Sequence, residues 1–126
     1  MTHNEIGDFG EQYIARLLAE AGEVTPGGPA DLLFEGVSVE VKTARPSNYN
    51  GRNLGYQFCL RKRGHTDHRK AAVLILLCLG LRGQVRGVFV IPTEVIGERR
   101  KLTMPLNLSS KWAHWQGRFE VLANYV

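Results

Sequence analysis

The segment from Asp31 to Lys42 constrains the fold more than any other part of this chain. Three apolar residues, 32–34, precede the pair Glu35-Gly36, and valines then alternate with polar residues up to Lys42. Alternation over this length is typical of a β-strand, and Glu35-Gly36 suits a two-residue turn. The segment therefore predicts a short β-hairpin.

The predicted turn also fixes which residues face each other across the hairpin. With the turn at 35–36, residue 34 opposes 37, 33 opposes 38, and 32 opposes 39. Asp31 then opposes Glu40, and opposed Cβ atoms lie about 4.5–5.5 Å apart. Lys42 lies two residues beyond Glu40, hence on the same face. The hairpin thus brings two carboxylates and one ammonium together.

Two close carboxylates repel each other unless one is protonated or a cation lies between them. Hard oxygen ligands favour Mg²⁺ or Mn²⁺, and a neighbouring lysine can orient a water or stabilise charge on a phosphoryl oxygen. These residue types point to metal-assisted phosphodiester hydrolysis. The alternative for Glu40 and Lys42 by themselves is an ordinary solvated strand face.

The acidic hairpin resembles the PD-(D/E)-x-K signature of the restriction-endonuclease-like nucleases, which include archaeal-type Holliday junction resolvases. Pro29-Ala30-Asp31 and Glu40-Val41-Lys42 carry the resemblance, with the proline displaced by one residue. It implies an α/β fold, with a mixed sheet of about five strands and an N-terminal helix packed on it. It also implies that Asp31, Glu40 and the Val41 backbone carbonyl ligate Mg²⁺, for which Mn²⁺ can substitute, while Lys42 orients the attacking water.

The N-terminal segment predicts the helix that this family places before the hairpin. Thr2-x-x-Glu5 is a capping-box pattern, apolar residues recur at helical spacing from Ile6 to Ala21, and Gly22 suits a C-cap. Glu11 falls on the flank of the apolar stripe. The resemblance implies that Glu11 is a supporting metal ligand. From the residues alone, an ordinary surface glutamate is an equally good interpretation.

The predicted helix contains two glycines, which are unfavourable within a helix. Gly7 and Gly10 each weaken a helix by roughly 1 kcal/mol. Close approach of the helix to the sheet or to a phosphate would explain them.

Positive charge is concentrated in the middle of the chain. The net charge is +4, and residues 45–70 carry seven Lys or Arg against the single acid Asp67. A basic segment beside an acidic metal site suits cleavage of a polyanion, although a generic basic surface is the alternative. The predicted nucleic-acid-binding residues are Arg45, Asn48, Arg52, Gln57, Arg61, Lys62, Arg63, Arg69 and Lys70.

The remainder of the chain predicts further strands and one short helix. The predicted elements are strands at 56–60, 72–79 (buried on both faces) and 85–91, a helix capped by Thr93 through Ile96, and an edge strand at 102–106. Cys59 and Cys78 are expected to be buried thiols. The C-terminal aromatic residues are expected to close a core or a subunit contact rather than to stack on bases; they are Trp112, Trp115, Phe119 and Tyr125. His65 and His68 lack a second ligand pair, which argues against zinc. Only about ten polar residues separate Leu60 from Ala71. The helix that the family places between the third and fourth strands is therefore short, absent or replaced.

At 126 residues the chain suits one domain, 1–126. No apolar run approaches the roughly 20 residues that span a bilayer, and the polar N-terminus is unlike a signal peptide. We therefore expect a cytoplasmic protein without membrane contact, of a kind that a mobile element or phage can encode. The expected function is a Mg²⁺-dependent DNA endonuclease, a homodimer acting on double-stranded or branched DNA as a resolvase does. The alternatives are a homing, restriction or repair endonuclease, a non-catalytic nucleic-acid-binding module, or a ribonuclease or toxin-like enzyme.

Overall fold

The computed structural model describes residues 2–27, 30–48, 54–60 and 71–126. An N-terminal helix packs on a five-stranded mixed sheet, and a three-stranded sheet covers part of the other face. The elements in chain order are α1 (His3–Ala19), β1 (Val24–Pro26), β2 (Leu32–Phe34), β3 (Val37–Ala44), β4 (Ser47–Asn48), β5 (Leu54–Cys59), β6 (Val73–Leu79), β7 (Val85–Pro92), α2 (Thr93–Ile96), β8 (Lys101–Pro105) and two 3₁₀ helices, Lys111–Trp115 and Phe119–Asn124. The α/β class, the N-terminal helix and the five-stranded mixed sheet are confirmed.

The main sheet is built around the predicted hairpin. Its strand order is β1-β2-β3-β6-β7; β3 and β6 are parallel, and the other neighbours are antiparallel. The hairpin register is the predicted one, with 34 opposite 37, 33 opposite 38 and 32 opposite 39. Glu35 and Gly36 have φ angles of 48° and 81°, the left-handed geometry that a tight two-residue hairpin turn requires. Strand β1 was not predicted, because a three-residue strand leaves little pattern.

Helix α1 begins and packs as the sequence predicts. Thr2 and Glu5 form the reciprocal capping box, with the Glu5 backbone N–H donating to Thr2 Oγ1 at 3.2 Å. The helix ends at Ala19 rather than at the predicted Gly22. Gly10 is buried against β3, where a Cβ atom would overlap the side chain of Thr43, whose own Cβ would lie only 2.9 Å away. Gly10 therefore sets how closely α1 approaches the sheet.

Strand β6 lies between two apolar clusters, as expected of a strand buried on both faces. Its odd-numbered residues, Val73, Ile75 and Leu77, join the cluster under α1. Its even-numbered residues join Tyr56, Phe58 and others in a cluster under the small sheet. This alternation follows from the period-two geometry of a strand.

The second sheet is the main departure from the predicted architecture. Its order is β4-β5-β8, so the strands predicted at 56–60 and 102–106 pair with each other instead of extending the main sheet. Strand β8 is an edge strand, as Pro105 indicated. Strand order depends on contacts between distant residues, which periodicity alone does not reveal.

Three local predictions are wrong or only partly right. Thr93 does not cap α2: Pro92 precedes the helix without a side-chain cap, and Thr93 Oγ1 is buried with no hydrogen-bond partner in the described part of the chain. Cys78 is buried but Cys59 is exposed, because it lies at the end of β5. Of the C-terminal aromatics, Trp112 is in the core whereas Tyr125 is exposed.

The predictions for residues 61–70, including the missing helix and the histidine pair, lie outside the described residues. Among the described residues, no helix has the length and apolar character that crossing a membrane requires.

Candidate active site

The four predicted catalytic residues line one cleft of about 300 Å³. Glu11 comes from α1, Asp31 from the residue before β2, and Glu40 and Lys42 from β3, while β5 forms a further wall. Each is partly buried, which keeps it accessible while lowering the local dielectric. Residues distant in sequence therefore share one small polar cavity.

Asp31 is positioned by a backbone hydrogen bond rather than by regular strand pairing. The β2–β3 ladder ends at Leu32 and Val39, so Asp31 is not a ladder partner of Glu40 as predicted. The Val41 backbone N–H donates to Asp31 Oδ2 at 2.8 Å. The Asp31 side chain thus replaces the backbone acceptor that the next ladder bond would use. This bond holds Oδ2 against β3 and does not involve Oδ1.

The Val41 carbonyl lies at the same strand edge as this hydrogen bond. In a β-strand, the N–H and C=O of one residue point to the same neighbouring strand. The Val41 N–H points toward the β2 side, beyond the end of the β2–β3 ladder. Its carbonyl is therefore directed to the place where β2 no longer supplies a partner. The side chain of Val41 is buried in the core.

Glu40 and Lys42 lie on one face of β3 and form an ion pair. Lys42 Nζ is 3.7 Å from Glu40 Oε1, and the two side chains are 28% and 16% exposed. The i, i+2 spacing accounts for the shared face. Glu40 is mostly shielded from water and has lost much of its hydration. The positive charge of Lys42 therefore stabilises the ionised form of Glu40.

Burial and the Asp31 charge raise the pKa of both glutamates in the cleft. For Glu40, burial is the larger cause and the nearby Asp31 charge the second; with Lys42 opposing them, the pKa is raised to about 7. Burial likewise raises the pKa of Glu11 to about 7, with Asp31 again the next cause. Asp31 is thus the common neighbour of both glutamates. A cleft that holds protons this tightly is one in which a cation would replace them favourably.

Helix α1 contributes two cleft residues that the sequence reasoning missed or left open. His3, Gly7 and Glu11 are spaced four residues apart and all line the cleft. This spacing places them on one helix face, so the pattern could have identified His3. A Cβ atom on Gly7 would meet nothing within 4 Å, in contrast to Gly10. Gly7 therefore leaves open space at the cleft.

Strand β5 forms the wall that faces Lys42. Gln57 and Cys59 line the cleft, and Gln57 Nε2 donates to the Asn48 carbonyl at 2.8 Å. Gln57 is therefore at the site, as predicted. Asn48 is joined to the site through that bond, and Arg45 is exposed just beyond β3. The other predicted contacts, Arg52, Arg61, Lys62, Arg63, Arg69 and Lys70, lie outside the described residues.

The donor set at this cleft suits a hard divalent cation only if water or substrate completes the shell. Across the described ranges, no three His, Cys, Asp or Glu side chains are grouped so that they could hold a metal ion. Magnesium commonly uses one or two carboxylates, several waters and a substrate phosphate. Asp31, Glu40 and the Val41 carbonyl supply the hard oxygens that this pattern needs, so the residues present fit Mg²⁺ as a partly hydrated ion.

No model of a known protein family matches the chain, and a search of curated proteins found no match.

Proposed function

We propose that the protein is a Mg²⁺-dependent DNA endonuclease with a restriction-endonuclease-like fold. One observation carries the proposal: Glu11, Asp31, Glu40 and Lys42 share a single small cleft. The raised pKa of two glutamates, about 7 each, around a common aspartate supports the same proposal. This combination of crowded acids and one lysine is typical of sites that hydrolyse phosphodiesters with a metal ion.

Three groups would hold the ion. Asp31 and Glu40 would supply carboxylate oxygens and Val41 its backbone carbonyl, with Glu11 in support, directly or through water; Mn²⁺ would substitute for Mg²⁺. When bound, the ion would polarise the scissile phosphate and offset the repulsion among the acids. The Val41 N–H bond to Asp31 would keep that carboxylate oriented before the ion arrives.

Lys42 would act on the attacking water. Its ammonium group is 3.7 Å from Glu40 Oε1, so it lies where it can donate to a water or to a phosphoryl oxygen while remaining charge-balanced. Hydrolysis would leave a 5′-phosphate, as the family resemblance implies. The role of Lys42 is therefore catalytic, whereas that of Gln57 is to contact the substrate from the opposite wall.

The proposed substrate is double-stranded or branched DNA, and the proposed assembly is a homodimer. The described part of one chain offers one such cleft, and cutting both strands of a duplex or junction requires two, which a two-fold symmetric dimer provides. Arg45, Arg52 and the basic residues of 61–70 would contact phosphates. Sedimentation velocity tests the assembly: a single species at the monomer mass across micromolar concentrations would contradict it.

A cleavage assay tests the activity. Plasmid, linear duplex, single-stranded DNA and a four-way junction are each incubated with the protein in Mg²⁺, Mn²⁺ or EDTA. We expect metal-dependent cutting that Lys42→Ala reduces by at least about 100-fold, in line with loss of a positioned proton-transfer or charge-stabilising group. Arg82→Ala is the control, since it removes an exposed cation from the β6–β7 turn.

The same assay separates the alternatives. DNA binding without cutting in either metal would favour a non-catalytic binding module. Cutting of the junction but not of the linear duplex would favour a resolvase over a restriction or homing enzyme. Normal cutting by Lys42→Ala would show that the assigned roles are wrong.

A further inference from the structure

The segment after α2 is the most one-sidedly charged part of the described chain. Residues 99–119 contain five Lys or Arg and no Asp or Glu, although the whole chain has an excess of only four positive charges. All five are exposed; Arg118 forms an ion pair with Glu120, which leaves Arg99, Arg100, Lys101 and Lys111. We call these four the β8 basic patch. A concentration of one sign of charge at this density is typical of a surface for a polyanion.

Strand pairing connects Lys101 of the β8 basic patch to the cleft. Lys101 is the direct partner of Cys59, and Thr103 is the partner of Gln57. Directly opposed residues in an antiparallel pair share one face of the sheet. Because Cys59 and Gln57 line the cleft, Lys101 and Thr103 lie on that same face, one strand farther from Lys42.

Most of the opposite face of this sheet is buried. Tyr56 and Phe58 of β5, and Leu102 and Met104 of β8, are at most 2% exposed. Alternation then leaves Lys101 on the open side. The Leu60 backbone N–H also donates to the Arg100 carbonyl at 2.9 Å, which ties the start of β8 to the end of β5. The position of Lys101 beside the cleft is therefore set by a regular ladder and not by a loose loop.

Two further cations of the patch are held over one indole ring. Arg99 Cζ is 5.3 Å and Lys111 Nζ is 4.9 Å from the ring centroid of Trp112, which is itself only 6% exposed. A cation–π contact stabilises each charge without neutralising it. Within the described part of the chain, none of the four patch cations makes an ion pair with a carboxylate. They stay available for an anion.

We propose that the β8 basic patch binds the phosphate backbone of DNA that leaves the cleft across β5 and β8. Lys101 would contact the phosphates nearest the cleft, and Arg99 and Lys111 those farther along. That the DNA runs from the cleft to the patch rests on the function proposed above. That the patch binds a phosphate chain rests on the charges of the patch itself. The patch lies outside the basic segment 45–70 to which sequence reasoning assigned DNA contacts.

The test measures binding without cutting. A fluorescein-labelled 30-base-pair duplex is titrated with the full chain in EDTA at 50, 100 and 200 mM salt, and fluorescence anisotropy gives the Kd. Each phosphate contact adds roughly 0.9 to the slope of log affinity against log salt. We expect Lys101→Gln/Lys111→Gln to weaken binding by about 10-fold at the lowest salt and to reduce that slope by about two.

A charge-matched control separates the patch from net charge. Arg16→Gln/Arg82→Gln removes two exposed cations from α1 and the β6–β7 turn, so it has the same net charge and should bind within about twofold of the wild type. Lys101→Arg/Lys111→Arg restores the charge and should restore affinity. Equal losses in the two glutamine variants, or no loss in either, would overturn the proposal.

Cleavage assays keep this inference distinct from the proposed function. If the chain binds DNA through the patch but never cuts, the inference stands and the nuclease activity fails. If Lys42→Ala abolishes cutting while the patch variants bind normally, the activity stands and the inference fails. If the wild type binds anionic lipid vesicles but no DNA, the inference is also overturned.

Discussion

At the scale of single residues, Asp31 organises the candidate site. It accepts a backbone hydrogen bond from Val41 and is a cause of the raised pKa of both Glu11 and Glu40. No other carboxylate in the described cleft affects both glutamates in this way. Changes at this residue should therefore alter the charge state of the whole cleft.

Stability of the metal-free protein should depend on pH through Glu11 and Glu40. Their pKa is about 7 in the folded state against about 4.5 in the unfolded chain, so the folded state binds protons more tightly. The free energy of unfolding should therefore fall as pH rises from about 4.5 to about 7 and level off above that range. After allowance for solvent screening, the fall is on the order of 1–2 kcal/mol.

Urea denaturation in EDTA at several pH values between 5 and 8 measures this effect. Glu11→Gln/Glu40→Gln should show a shallower fall than the wild type, because amides do not titrate. Glu20→Gln, an exposed change at the C-cap of α1, should leave the pH dependence unchanged. Identical profiles for the wild type and the double variant would contradict the assigned pKa shifts.

Magnesium should stabilise the folded protein through Asp31. An ion present at ten times its Kd adds about 1.4 kcal/mol to the free energy of unfolding, which a thermal-shift measurement detects as a rise of a few degrees. Asp31→Asn keeps an oxygen that can accept from the Val41 N–H but loses the charge, so most of this rise should disappear. A full Mg²⁺-dependent rise in Asp31→Asn, with Glu20→Gln as the reference, would exclude Asp31 as a ligand.

At the scale of elements, the contact between α1 and β3 brings Glu11 to the cleft. The contact is close because Gly10 has no side chain to meet Thr43. Gly7, one turn earlier, borders open space. Sequence reasoning identified both glycines as unusual in a helix, but it could not tell which one faced the sheet, because that depends on the helix rotation.

Replacing each glycine by alanine should have opposite effects. Gly7→Ala should raise the free energy of unfolding by roughly 0.5–1 kcal/mol, since alanine is the better helix former. Gly10→Ala forces α1 away from Thr43 and should lower it by about 1–3 kcal/mol. Chemical denaturation of the pair measures the difference, and equal effects would mean that the helix does not pack through Gly10.

Local pattern was sufficient for the elements that carry the site. The Thr2–Glu5 capping box, the alternating valines of β3 and the pair at 35–36 were each readable, because short-range rules govern caps, strand faces and tight turns. The separate sheet formed by β4, β5 and β8 was not readable. Its β5–β8 pairing joins residues more than 40 positions apart, which no local pattern encodes.

At the scale of the whole molecule, the small sheet provides the cleft wall opposite β3. Its buried face packs against the main sheet. In addition, the Tyr56 hydroxyl donates to the Leu79 carbonyl at 2.8 Å. The sequence predicted that Gln57 lies near the site, but not that it belongs to a separate sheet. The packing of the two sheets is what places Gln57 across the cleft from Lys42.

Loss of the Tyr56 hydroxyl should weaken the attachment of the small sheet. Tyr56→Phe leaves the buried Leu79 carbonyl without this donor and should lower the free energy of unfolding by about 1–2 kcal/mol. Tyr125→Phe removes an exposed hydroxyl that is 3.5 Å from Glu94 Oε1 and should change it by less than about 0.5 kcal/mol. Thermal denaturation of the two variants checks this; equal losses would show that the Tyr56 bond is not specifically stabilising.

The tight turn at 35–36 also limits how the chain can tolerate insertions and deletions. Successive side chains along a strand point to opposite faces, so the number of residues between the turn and Glu40 has a required parity. Adding or removing a single residue between Val37 and Glu40 would turn Glu40 and Lys42 away from the cleft, whereas a change of two would keep them on the same side. Length variation in this part of β3, whether by natural drift or in a designed library, is therefore expected to proceed in steps of two.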